Sequence, residues 1–310
     1  MSPVPSPTPT TSPTDIGAAV ELLSGPPTEV ARGLAITRLG RTPGTAPTVL
    51  LIHGVGAARV VWAPVLPELA RHYDVLVVDL PGHGASTSLD GADPTCLAVG
   101  RRVAASCAEL GVVRPHLVGN SLGGWIGLEM AADDAAASLV ALAPAGLRIR
   151  PVRPSPVLLA NRALARRTER IAGALIDNAL MRRLVFATGS SNPAALHPGV
   201  ARGMVHALAH STAYEVMLDA TSRRRFERKA QVHVPTVVVF GDRDLILPPA
   251  NQRPELAPAH AEWQRWERCG HAPMWDHPQR TVELIQHTVA AAPRRPNDPV
   301  TQATTEPGEG

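Results

Sequence analysis

Five short runs of nearly unbroken apolar residues constrain this chain most. They are Thr48-Val49-Leu50-Leu51-Ile52-His53, Asp74-Val75-Leu76-Val77-Val78-Asp79, His116-Leu117-Val118, Ser138-Leu139-Val140-Ala141-Leu142-Ala143 and Pro235-Thr236-Val237-Val238-Val239-Phe240. A strand with one wet face alternates polar and apolar residues. A strand covered on both faces does not, and these runs do not. Helical stretches separate them, at 63–72, 98–110 and 122–132. Strands alternating with helices predict an α/β fold with a mostly parallel sheet flanked by helices. Gly33 to Leu39 is expected to add an antiparallel hairpin partner, and Glu262 to Arg268 an edge strand. A chain of 310 residues, 45% hydrophobic, can bury a substantial core in one or two domains.

The alternation breaks once. From 147 to 229 there is no β-rich run, only amphipathic helical patterns such as Ile171, Leu175, Ile176, Leu180 and Leu184 with Arg170, Arg182 and Arg183 interspersed. This segment reads as a helical cap, or lid, inserted after the fourth buried strand. The core is then 21–146 with 230–291. The Pro/Ser/Thr-rich 1–20 and the Pro-rich polar 292–310 are expected to be disordered tails. The formal net charge is only +3, yet the cap segment carries +10 and the remainder −7, almost all of the basicity arginine. Such a cap suits an anionic group on a small-molecule substrate or a weak attraction to an anionic membrane surface. The run Arg223-Arg224-Arg225 by itself reads as a solvated face. No nucleic-acid partner is expected. Cys96, Cys107 and Cys269 have neither disulfide nor zinc spacing and read as small buried hydrophobes, so no metal site is expected. With no signal-peptide pattern and no apolar stretch of membrane-spanning length, a cytoplasmic protein is the expectation.

The chemistry starts at Gly119-Asn120-Ser121-Leu122-Gly123, a Gly-x-Ser-x-Gly placed between a buried run and a helix. Alone, this pattern is common in ordinary turns. On a strand-to-helix elbow it exposes the serine hydroxyl over a helix N-terminus, with Gly119 and Gly123 relieving the crowding of such a turn. A serine needs a base, and the base an orienting acid. His271, after the last predicted strand, supplies the base. Asp244, after the fifth buried run, supplies the acid, with Asp242 as its rival. The order Ser, Asp, His is that of a nucleophile-elbow enzyme. Two backbone N–H groups would form the oxyanion hole: Leu122, next to the nucleophile, and Val55, in a loop that Gly54 and Gly56 allow to turn inward. His53 and His83 read as braces of these loops, His277 as a helix-start residue, and Trp125 and Trp275 as packing.

With these elements in order, the chain resembles the α/β-hydrolase superfamily over about 29–291. The resemblance rests on His53-Gly54-Val55-Gly56, Asp79-Leu80-Pro81-Gly82-His83-Gly84-Ala85-Ser86, the 119–123 elbow, 241–244 and Gly270-His271. It implies a capped hydrolase that needs no cofactor. The elbow and Cys269-Gly270-His271 particularly resemble carbon–carbon bond hydrolases of aromatic degradation (meta-cleavage product hydrolases), although Ala272 stands where that group commonly has tryptophan. Serine at 121 disfavours the reactions of aspartate-nucleophile epoxide hydrolases and dehalogenases. The expected activity is hydrolysis of a small or lipophilic carboxylic ester through an acyl-enzyme. Carbon–carbon, lactone or thioester cleavage and acyl transfer are alternatives open to the same triad. A ligand-binding receptor on a hydrolase fold is the alternative of another class.

Overall fold

A computed structural model describes residues 13–149 and 156–293. Helix α1 (Pro13–Ser24) leads into a hairpin of β1 (Glu29–Ala31) and β2 (Leu34–Gly40). Then follow β3 (Thr48–Ile52), α2 (Leu66–His72), β4 (Asp74–Val78), α3 (Cys96–Glu109), β5 (His116–Asn120), α4 (Leu122–Ala132) and β6 (Ser138–Leu142). The chain next leaves the sheet for α5 (Pro156–Leu175), α6 (Ala179–Val185), α7 (Pro198–His210) and α8 (Tyr214–Ser222). It returns through β7 (Thr236–Gly241), β8 (Glu262–Trp266), α9 (Pro273–Asp276) and α10 (Pro278–Ala290).

The eight strands lie in the order β1-β2-β4-β3-β5-β6-β7-β8, parallel from β4 to β8, with β1 and β2 antiparallel. Each of the five apolar runs is a strand of this sheet. Side chains alternate across it: Val49, Leu51, Val75 and Val77 enter one core, Leu50, Ile52, Leu76 and Val78 the other. This is why the runs are apolar throughout. α4 is buried along almost its whole length, from Leu122 to Ala131, between the sheet, α3 and the short turn Lys229–Gln231. The order β4-β3-β5 reverses the direction of winding at β3. Such a switch point opens a crevice beyond the carboxyl ends of the two neighbouring strands, and the residues that follow β3 and β5 are His53 and Ser121.

One expectation changes. The tail expected over 1–20 is shorter, because α1 already starts at Pro13 and buries Ala19 and Leu23 in the core. Residues 1–12 and 294–310, the rest of the expected tails, lie outside the described residues. The amphipathic stripe of the insertion lies mostly outward. Of Ile171, Leu175, Ile176, Leu180 and Leu184, only Ile176 is buried; the other four are 50–65% exposed. Small Ala165 faces inward on α5 instead. All three cysteines are buried and free, and burial raises their thiol pKa values, to about 12 at Cys107. No helix among the described residues is long and apolar enough to cross a membrane.

Candidate active site

Ser121 sits between β5 and α4 with φ 56° and ψ −113°. A β-carbon is strained in this left-handed region, by roughly 1–3 kcal/mol, and the surroundings must hold it there. Its N–H donates to the Leu142 carbonyl at 2.8 Å, and its carbonyl accepts from Trp125 and Ala145 at 3.2 and 3.0 Å. The elbow also demands its glycines. A β-carbon at Gly123 would lie 2.1 Å from the Ile52 carbonyl oxygen, and one at Gly119 2.2 Å from that of Gly123. Gly54 passes so close that a β-carbon there would stand 3.2 Å from Ser121 Cβ.

His271 and Asp244 meet behind this turn. His271 Nδ1 lies 2.9 Å from Asp244 Oδ2. The other carboxylate oxygen accepts the N–H groups of Ile246 and Leu247 at 2.9 and 2.7 Å. Asp244 is fully buried and His271 nearly so, so a short, doubly anchored carboxylate fixes the ring. Asp242, the rival acid, is exposed and accepts instead from the Cys269 N–H at 3.1 Å. Asn120 joins the two halves of the site. Its side-chain amide donates to the His271 carbonyl at 2.9 Å and to that of Leu142 at 3.2 Å, tying the residue before Ser121 to the histidine loop.

The loop after β3 is held by two histidines that must be neutral. His53 Nδ1 is 2.7 Å from the Gly54 carbonyl, so it carries the proton, while Nε2 accepts from the Leu80 N–H at 3.0 Å. His83 repeats the pattern, donating to Pro81 and accepting from Gly56 N–H at 3.0 Å. Burial is the main reason their pKa values fall, to about 4 for His53 and about 3 for His83. The Gly56 N–H is therefore occupied. Those of Val55 and Leu122 have no hydrogen-bond partner among the described residues. The inserted helices cover this loop: Leu208 of α7 and Tyr214 of α8 press on Gly56, leaving no room there for a β-carbon.

Sequence reasoning assigned no role to two residues of this region. One is Asn120, read only as part of the elbow. The other is Asp276, which accepts from the Gly270 N–H at 2.6 Å and from the Ser191 N–H at 2.9 Å, pinning the histidine loop to the insertion. Neither has a sequence signal beyond its place in a recognised loop. His277 Nε2–H donates to the Glu267 and Arg268 carbonyls, and the Trp275 indole N–H donates to the Val61 carbonyl. Trp125 packs in the core with its indole N–H on Glu129. A cavity of about 680 Å³, lined among others by Trp125, Glu129, Arg148, Arg224 and Arg228, includes none of Ser121, Asp244 or His271.

A model of the alpha/beta hydrolase family matches residues 49–284. The chain belongs to this family. A pimeloyl-[acyl-carrier protein] methyl ester esterase of Xanthomonas campestris pv. campestris is 30% identical over 270 residues, which cover 81% of this chain and 98% of that protein. A bacterial membrane phospholipase A superimposes with a TM-score of 0.69 at 26% identity, covering 90% of each chain. A 2-hydroxy-6-oxo-6-phenylhexa-2,4-dienoate hydrolase of Rhodococcus shares the fold, with a TM-score of 0.64 at 20% identity over 83% of this chain and 95% of that one. The chain is thus an α/β-fold hydrolase of esterase and lipase type.

Proposed function

We propose that this hydrolase cleaves a small or lipophilic carboxylic ester by a Ser121–His271–Asp244 acyl-enzyme mechanism. The observation that carries the reading is the 2.9 Å bond between His271 Nδ1 and the buried, doubly anchored Asp244. It favours the tautomer whose free Nε2 can take a proton. His271 removes the Ser121 proton as the hydroxyl attacks the ester carbonyl carbon. The resulting oxyanion is held by the N–H groups of Val55 and Leu122, both without a partner among the described residues. His271 then protonates the leaving alcohol, and water discharges the acyl-enzyme by the same route. The segment 147–229 acts as the cap over this site. Ser121→Ala is expected to abolish both turnover and labelling by a fluorophosphonate while the thermal midpoint is kept. Full activity in that variant would refute the scheme, and product analysis with added alcohol separates hydrolysis from acyl transfer.

A second observation favours a lipophilic ester met at an interface. Ile171 and Leu175 on α5, with Leu180 and Leu184 on α6, point out to solvent beside the exposed Arg167 and Arg183. An apolar stripe edged by arginine suits an anionic lipid surface. Ser121→Ala protein is expected to sediment with phosphatidylglycerol vesicles, and Ile171→Ser/Leu184→Ser to lose that binding while keeping its rate on a soluble ester. Equal sedimentation of both would exclude this face.

A further inference from the structure

The inserted helices carry a group of donors that ester hydrolysis does not use. His206 and His210 stand one turn apart on α7, so their imidazoles leave the same face of the helix. Glu169 on α5 meets them. One carboxylate oxygen lies 2.5 Å from His206 Nδ1 and the other 2.8 Å from His210 Nε2. The donor atoms of the three side chains all fall within 4.8 Å of one another, and the two rings are 4.5 Å apart. The helix pair is registered independently of this group. Ala165, one turn before Glu169, is buried, and Arg162 donates to the Ser211 carbonyl at 2.6 Å just past the end of α7.

We propose that Glu169, His206 and His210 form a binding site for a borderline divalent transition metal, with Zn²⁺ the best match. Two imidazole nitrogens and one carboxylate oxygen are a donor set that zinc takes at three positions, leaving a fourth for water. Donors at about 2.0–2.1 Å from a tetrahedral ion lie roughly 3.3 Å from one another. The three side chains are partly exposed, so small rotations bring them from their present mutual hydrogen bonds onto a shared ion, with solvent at the open position. Hard cations such as Mg²⁺ find only one carboxylate here and are poorly served. The charge of Arg202, one turn before His206, is met by Asp177.

The ion would join α5 to α7, and α7 presses Leu208 on Gly56 and lies with Gly203 against Val60. Its role is thus to staple the insertion over the loop that carries Val55, and it does not depend on which bond Ser121 cleaves. The test uses the full-length chain without an affinity tag, stripped with chelator and titrated calorimetrically with zinc chloride or magnesium chloride. One zinc per chain is expected, with no comparable magnesium heat and a rise of a few degrees in thermal midpoint at saturation. Glu169→Gln should weaken binding at least tenfold, and His206→Ala/His210→Ala should abolish it while retaining the metal-free esterase rate. Absence of saturable zinc heat up to roughly 1 mM, or the same stoichiometry in the double variant, overturns the proposal.

Discussion

Acidification should unfold this protein through two histidines that never touch substrate. In the native state His53 and His83 each donate from Nδ1 and accept at Nε2. A second proton would set Nε2–H against the N–H of Leu80 or Gly56, in a fully buried place. Their pKa values accordingly drop from 6.5 to about 4 and about 3. Burial is the largest cause for both, with the charge of nearby His53 adding to it at His83. In the unfolded chain both titrate near 6.5, so between that pH and the native values the unfolded state holds more protons. Stability is therefore fully present above about pH 6.5 and is lost as the pH falls, until about 4 for His53 and about 3 for His83. At about 1.4 kcal/mol per pKa unit, the complete losses are on the order of 3 and 5 kcal/mol. By pH 5 each histidine has cost about 2 kcal/mol relative to pH 7.5, about 4 in total, a large share of the usual 5–15 kcal/mol. Glutamine can make the same donor and acceptor pair without titrating. Urea midpoints of wild type and His53→Gln/His83→Gln, taken between pH 7.5 and 5, should shift relative to each other as the pH falls, the wild type losing about 4 kcal/mol that the variant keeps. Parallel pH profiles for the two proteins would refute the reasoning.

Three further outcomes follow from the site. Asp244→Asn should lower kcat by about three to four orders of magnitude, and Asp242→Asn should leave it within a few-fold; kinetics on one ester with both variants checks the assignment of the acid. Asn120→Ala should cost roughly 1–3 kcal/mol by stranding the His271 carbonyl, while that of Leu142 keeps the Ser121 N–H. It should lower kcat more than it raises KM, since it loosens the histidine loop and not the substrate. Gly123→Ala, whose β-carbon would meet backbone at 2.1 Å, should destabilise by more than about 3 kcal/mol, above the ordinary range for overpacking, and a soluble variant with an unchanged midpoint would show that the elbow can relax.

The strands and the main loops were legible because their physics is local. A strand buried on both faces must be apolar throughout, and Thr48–Ile52 or Thr236–Gly241 announce themselves in five or six residues. The meeting of Asp244 with His271 could be anticipated because a parallel sheet gathers the carboxyl ends of its strands, so the loops that follow β7 and β8 had one place to go. Helix α1 was hidden by its Pro/Ser/Thr-rich approach, since composition averaged over a tail masks a two-turn stripe of Ile16, Val20 and Leu23. The roles of Asn120 and Asp276 were illegible for a different reason. Each depends on a backbone group far away in sequence, and nothing in the residue type says which carbonyl or N–H will arrive.

The insertion shows where periodicity itself runs out. A stripe at helical spacing says that one face differs from the other, not which face turns inward, and on α5 Ala165 is the buried contact while Ile171 and Leu175 are exposed. The arginine count misleads in a related way. Arg148 is buried on the carbonyls of Ala145, Thr221, Ser222 and Arg224. Arg182 is buried on those of Ile176, Asp177 and Ala194. Arg162 pairs with Glu215, Arg202 with Asp177, and Arg228 with Glu129 and Asp133. These five guanidinium groups hold helix ends and loops together and are not offered to a ligand. The formal +10 of the segment therefore overstates what an incoming anion meets. The fork of an arginine satisfies several carbonyls at once, so a loop-rich insertion with little β-structure has a structural use for this residue that net charge alone cannot distinguish from recognition.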